Sequence, residues 1–233
     1  MPFPASPATT PTPVAASPTT SATVGTATGA RTAADPSSLS FTAIDFETAN
    51  RFIGSPCAVG LVRVRGGRVV AECSAYMRPP RTRAGFDPGN IRVHGITERT
   101  VAGHPGFAEL WPRIEEWILA EDPDELVVAH NARFDMGVIR AACAETGTAH
   151  APLAYACSLA LARRGYDLPS YALPRAAEAA GVPLRRHHDA LEDARACAGI
   201  VVDLVHRSGA GTVRELLAGA GLSVRRLVAP PLP

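Results

Sequence analysis

The sequence predicts an α/β domain built on a mixed β-sheet. Three short apolar runs come first, one at residues 41–47 and two around Gly66-Gly67. After about residue 107, stretches of helical period alternate with further apolar, strand-like runs. Three strands followed by alternating helices and strands suggest an antiparallel meander continued by parallel strands. With 233 residues, 46% of them hydrophobic, the chain can build the core of one ordinary domain with extensions.

The elements follow in order. "FTAIDFE" is short and apolar enough for a buried strand. "CAVGLVRVRGGRVVAECSAYMRP" holds two strand-like runs, and Gly66-Gly67 between them marks a tight hairpin. Arg63 and Arg65 alternate with Val62 and Val64, as on a half-exposed strand. "PPRTRAGFDPGN" is expected as a loop. "FAELWPRIEEWILAE" has helical period, with Leu110, Ile114, Trp117 and Ile118 on one face and Pro112 near its start. "ELVVAHN" is a second buried strand, and "ARFDMGVIRAACAETG" a helix capped by Gly147. "LAYACSLALARRG" runs from strand to helix. "SYALPRAAEAAG" is a short helix interrupted by Pro174. "HHDALEDARACAGIVVDLVHRSG" is a long helix with Leu191, Ala194, Ala198, Val201, Val202 and Val205 inside.

Residues 1–38 are nearly all Pro, Ala, Ser and Thr and are expected as a disordered tail. Residues 39–208 form the domain, and 209–233 a short C-terminal extension with one amphipathic piece, "TVRELLAGAGL". The formal net charge is +1, so no global basic field advertises a nucleic-acid partner. All 23 basic residues are arginine, a compositional bias that weakens any argument from one isolated arginine. The five cysteines are scattered and form no C-x-x-C pair, which argues against zinc and dithiol chemistry. No run of 18 apolar residues is present, so no membrane span is expected. The start of the chain has no signal-peptide pattern, and a cytoplasmic location is expected.

Three acidic motifs carry the chemistry. In "IDFET", Asp45 and Glu47 stand two apart on a strand and so share a face. Buried together, two carboxylates repel, and a hard divalent cation such as Mg²⁺ or Mn²⁺ relieves the cost. At an exposed strand end they would simply be solvated. In "HNARFD", Asp135 falls in the first turn of a helix, where an acid also suits the helix dipole. In "HHDALEDA", Asp193 lies in the first turns of the long helix and His188 just before it. Asp189 is a good N-cap, and Glu192 points about 100° away from Asp193, toward solvent.

Taken together, "DFET", "HNARFD" and "H-x-x-x-x-D", in that order, resemble the three motifs of the DEDDh (DnaQ-like) family of 3′–5′ exonucleases. The proofreading epsilon subunit of bacterial DNA polymerase III typifies that family. "VHGIT" at 93–97 resembles an element those enzymes carry between the first two motifs, and the likeness spans about residues 41–207. The resemblance implies a ribonuclease H-like fold with a five-stranded mixed sheet flanked by helices. It implies that Asp45, Glu47, Asp135 and Asp193 bind two divalent cations, Mg²⁺ or Mn²⁺, and that His188 is the general base. Two ions about 3.5–4 Å apart suit in-line phosphodiester displacement. Phe46, Thr48, His94 and Ile96 match positions that meet the terminal nucleotide, and His130 and Asn131 lie beside the site. "RPPRTR" at 78–83 is a candidate phosphate-contacting loop. The expected partner is a single-stranded or frayed nucleic-acid 3′ end, DNA before RNA, and the expected product a nucleoside 5′-monophosphate. An RNA exonuclease and a non-catalytic nucleic-acid-binding protein are the alternatives. After "DFET" well-known members have Thr-Gly, whereas this chain has Ala49-Asn50 followed by Arg51. No polymerase-binding segment is legible.

Overall fold

The computed structural model describes residues 38–228. The Pro/Ala/Ser/Thr-rich tail therefore lies outside the described residues, apart from Ser38. Six strands form one sheet in the order β3-β2-β1-β4-β5-β6. β1 (Phe41–Thr48), β2 (Pro56–Arg65) and β3 (Arg68–Tyr76) are the antiparallel meander. Gly66 and Gly67, at φ 57° and 69°, make the turn between β2 and β3, where two left-handed residues match the strand twist. β4 (Leu126–Ala129) runs parallel to β1, and β5 (Leu153–Cys157) parallel to β4. Five strands were expected; the sixth, β6 (Arg225–Leu227), comes from the stretch assigned to a C-terminal extension and pairs antiparallel with β5. Only three residues long, it shows no detectable alternation in the sequence.

The period of β1 sorts its residues between two layers. Phe41 and Ala43 face α5 (Ser158–Gly165), α6 (Leu173–Ala179), α7 (Ala190–Ser208) and α8 (Val213–Gly219). Ile44 and Phe46 face α3 (Phe107–Leu119) and α4 (Arg133–Thr146). Asp45 and Glu47 continue the Phe41–Ala43 row, so the strand aims both acids at α7.

Several local expectations are corrected. "PPRTRAGFDPGN" is not all loop: it contains a 3₁₀ turn, Arg81–Arg83, and the start of α1 (Pro88–His94), whose N-cap Asp87 accepts from Gly89 N. A second short helix, α2 (Glu98–Val101), follows with a Thr97–Thr100 capping box. Pro174 does not interrupt α6 but opens it, where its missing N–H costs nothing. Pro112 lies inside α3, beyond the first turn. β2 is not half-exposed: Arg63 is buried, with its guanidinium 4.1 Å from the Trp117 ring and paired to Glu121 at 2.9 Å. The α3 stripe uses fully buried Trp111, stacked on Phe107, where Trp117 was expected to be inside.

Candidate active site

The site forms where the C-terminal end of β1 meets the N-terminal ends of α4 and α7. Asp45, Glu47 and Asp193 bring one carboxylate oxygen each within 4.8 Å of one another. Asp135 joins them through the backbone: its Oδ1 accepts from Phe46 N at 3.1 Å. Its other oxygen is buried and has no hydrogen-bond partner in the protein. An orphaned buried carboxylate oxygen beside three further acids is what a hard cation would complete.

The electrostatics point the same way. Burial, followed by the charges of Asp135, Asp193 and Glu47, pushes the Asp45 carboxyl well above its usual range. Burial and then Asp193 and Asp135 raise Glu47 to about 8. Burial raises Asp135 to about 7, against the opposing hydrogen bond from Phe46 N. Burial also raises Asp193, partly offset by the backbone N–H of His188 and by His187. Without positive charge the four acids cannot all ionise together at neutral pH.

The loop before α7 is shaped around Asp193. Asp189 caps the helix as expected, accepting from Glu192 N at 3.2 Å. His188 holds a left-handed backbone, φ 70°, that turns its own N–H onto Asp193 Oδ2 at 3.0 Å. Its ring Nδ1 lies 4.0 Å from Glu47. Burial, then His187 and His94, depress its pKa, so the ring is neutral and able to accept a proton at neutral pH. His187 meets the same helix entrance. Its Nδ1 lies 3.0 Å from Asp193 Oδ2, and its ring stacks on His188 with centroids 3.7 Å apart. His187, His188 and Asp193 form a second group able to hold an ion. Adjacent histidines at a helix entrance were the available signal; spacing alone does not say which one turns inward. Glu192 is not free in solvent but paired to Arg195 at 2.8 Å.

The cleft has a volume of about 390 Å³ and includes Phe46, Thr48, His94 and His130 in its walls. Phe46 and Thr48 are buried there. His94 bridges Thr48 O, at 3.1 Å from Nε2, and Ile96 N, at 3.0 Å from Nδ1, which ties α1 to the end of β1. His130 spends both ring nitrogens on Ser158 Oγ and Tyr171 O, each at 2.9 Å. Ile96 is withdrawn into a small core cluster with Ala49, Cys57 and Val101. Asn131 is exposed with φ 70° and accepts from Phe134 N at the entrance to α4. Asn90, Val93 and Phe134 also line the cleft and were not anticipated: Asn90 falls in the stretch expected as loop, Val93 opens the "VHGIT" element of which only His94 and Ile96 were singled out, and Phe134 stands beside Asp135 in "HNARFD". Val93 and Phe134 are exposed apolar side chains at its mouth.

The sequence profile of the RNase T exonuclease family matches residues 42–201, from β1 into α7. The chain belongs to this exonuclease family. It falls in the DEDDh (DnaQ-like) group by its motifs, and a domain of this family is a hydrolytic nuclease. It is 32% identical over 192 residues to a Mycobacterium tuberculosis protein named as a bifunctional exonuclease/endonuclease, covering 76% of this chain and 29% of that one. It is 29% identical over 167 residues to the PolC-type DNA polymerase III of Thermotoga maritima, covering 71% of this chain and 12% of that one. The chain thus spans less than a third of either relative. Among solved structures, exonuclease X in complex with 5′-overhanging duplex DNA is 26% identical, with TM-score 0.59, covering 72% of this chain and 93% of that one. The nuclease domain of a DEDDh family member bound to rAMP shares the fold at TM-score 0.65 and 17% identity, over 80% of this chain and 96% of that one. The exonuclease fold is thereby established, with an additional edge strand. Among the described residues no helix is long and apolar enough to cross a membrane.

Proposed function

We propose that this domain removes nucleotides one at a time from nucleic-acid 3′ ends, with DNA preferred, and releases nucleoside 5′-monophosphates. The observation that carries the reading is the convergence of Asp45, Glu47 and Asp193 within 4.8 Å, beside the orphaned Asp135 Oδ2 and the His188 ring. Asp45, Glu47, Asp135 and Asp193 would hold two divalent cations, Mg²⁺ or Mn²⁺. When bound, the cations supply Lewis-acid stabilisation of the charge that develops on the phosphodiester oxygens. His188, neutral and half-buried over Glu47, takes the proton of the attacking water. Phe46, Thr48, His94 and exposed Phe134 embrace the terminal sugar and base by packing, which suits sequence-tolerant cutting. The preference for DNA is supported by relatives named as DNA polymerase III and by the exonuclease X complex with duplex DNA.

Digestion of 5′-labelled single-stranded DNA, duplex DNA and RNA of one sequence tests this. Stepwise shortening of the labelled strand is expected with Mg²⁺ or Mn²⁺ and none with chelator. Full activity in Asp45→Ala or Asp193→Ala would overturn the site, and faster cutting of RNA would overturn the preference.

A further inference from the structure

Beside the cleft lies a built ledge of arginines that the hydrolytic chemistry does not use. The Asn50 side-chain amide donates to Arg83 O at 2.9 Å and to Gly85 O at 2.6 Å. Asp87 N donates to Ala49 O at 2.8 Å, and the Asn90 amide to Thr48 O at 2.8 Å. The loop holding Arg81 and Arg83 is therefore fastened to the residues that directly follow the β1 acids. Thr82 also hydrogen-bonds Glu145 on α4. Ile53 fills the space above Gly137 of α4, where a Cβ would come within 2.7 Å of it. Segment 50–53 is thus wedged between the arginine loop and α4. Arg133 and Arg140, four before and three after Gly137, flank the same seam by helical spacing.

The charge on this seam is one-sided. Arg51, Arg81, Arg83, Arg133 and Arg140 are exposed, against the carboxylates of Asp87 and Glu145, while the whole chain carries only +1. Arg51 leans on Asp87 at 3.5 Å; among the described residues no carboxylate pairs with the other four. Arg83 lies 4.8 Å from the Phe52 ring centre, a stacking that holds the guanidinium plane in place before any ligand arrives. A merely solvated loop needs none of these fastenings. Arginine bias explains the residue type but not their concentration beside the cleft.

We propose that this ledge grips the phosphodiester backbone of the nucleic acid outside the cleft, without reading sequence. The assignment rests on the nuclease reading above and extends it from the terminal nucleotide to the adjoining strand. Planar guanidinium groups bind phosphate oxygens bidentately, and such contacts set position and affinity. Asn50, where well-known relatives have glycine, is the residue that fixes the ledge.

The test compares wild type with Arg81→Ala/Arg83→Ala and Arg133→Ala/Arg140→Ala. Binding of a single-stranded DNA oligomer and of a duplex with a recessed 3′ end is measured in chelator across salt concentrations. Each lost phosphate contact lowers the slope of log affinity against log salt by about 0.7 to 0.9. Each double variant is expected to lose about one to two units of slope and to raise KM on oligomers about tenfold. Hydrolysis of the 4-nitrophenyl ester of thymidine 5′-monophosphate, which does not reach beyond the cleft, stays unchanged. A slope loss on the duplex alone assigns the ledge to the paired strand; a loss on both assigns it to the strand being cut. Unchanged slopes and KM overturn the proposal, as does an equal loss on ester and oligomers, which would make the loop a mere prop. If wild type hydrolyses no substrate, the nuclease reading fails, while the slopes still report on the ledge.

Discussion

Gly60 lies directly beneath the backbone of Ala190, so close that a Cβ on Gly60 would overlap the Ala190 carbonyl and press on Leu191 N. Gly60 is also the cross-strand partner of Asp45. This bare patch of β2 lets the first turn of α7 descend onto the sheet, and the descent brings Asp193 to Asp45 and Glu47. Gly60→Ala is therefore expected to lift α7. Overpacking of this kind costs about 1–3 kcal/mol. Thermal unfolding should register a folded but less stable protein, and mononucleotide release should fall at least about tenfold, because sub-ångström positioning is lost.

Asp45→Asn separates stability from activity. It removes one charge from a crowded, buried acid cluster, so the metal-free protein should melt higher at pH 8 than wild type. Hydrolysis should fall by about two orders of magnitude or more, equivalent to at least about 2.7 kcal/mol of barrier. The rise in melting temperature that Mn²⁺ gives wild type should shrink. A destabilised metal-free variant would contradict the crowding of these acids.

The metal-free protein should lose stability as pH rises. Asp135 and Glu47 titrate in the fold at about 7 and about 8, above their unfolded values near 4. A raised folded pKa means the native state holds protons that the unfolded chain has released. That contribution is fully present below about pH 4 and fades as pH passes through 7 and 8. Melting in chelator should therefore drop between pH 6 and pH 8.5, from this contribution alone. Added Mn²⁺ should raise the melting temperature more at pH 8.5 than at pH 6, since cations and protons compete for the same oxygens.

His188→Ala should lower kcat about 10²–10⁴-fold, the usual worth of a positioned general base, with binding of a 3′ end in chelator little changed. His187→Ala removes only the ring beside Asp193 and should cost less. With His188 depressed below its ordinary value, its protonation should limit the rate only at acid pH, so wild-type kcat at saturating Mn²⁺ should be flat from about pH 7 upward. The reverse ranking of the two variants would hand the base role to His187.

Much of this protein was legible in its residues. Strand period two put Asp45 and Glu47 on one face, and helical period marked the inner faces of α7 and of α3, the latter with Trp117 in place of the buried Trp111. Gly66-Gly67, Gly147 and Asp189 announced their turn and caps because each answers a local backbone demand. What escaped lacked such a local signal. β6 is too short to show alternation, and it exists because β5 offers it an edge. Arg63 reads as an exposed charge on a strand, and only Trp117 and Glu121 arriving from α3 and the turn after it make its burial tolerable.

By itself, the sequence determined the α/β order and the family, and set Asp45, Glu47, Asp135 and Asp193 in three separate motifs, since these depend on residue type and spacing along the chain. The tertiary structure alone decided how the acids meet and which acid each histidine faces. His188 reaches Glu47 because its left-handed backbone turns the loop inward, while His187 stays on Asp193. The meeting of the acids rests on the close approach of α7 to Gly60, a contact between segments remote in sequence, and no local pattern encodes it.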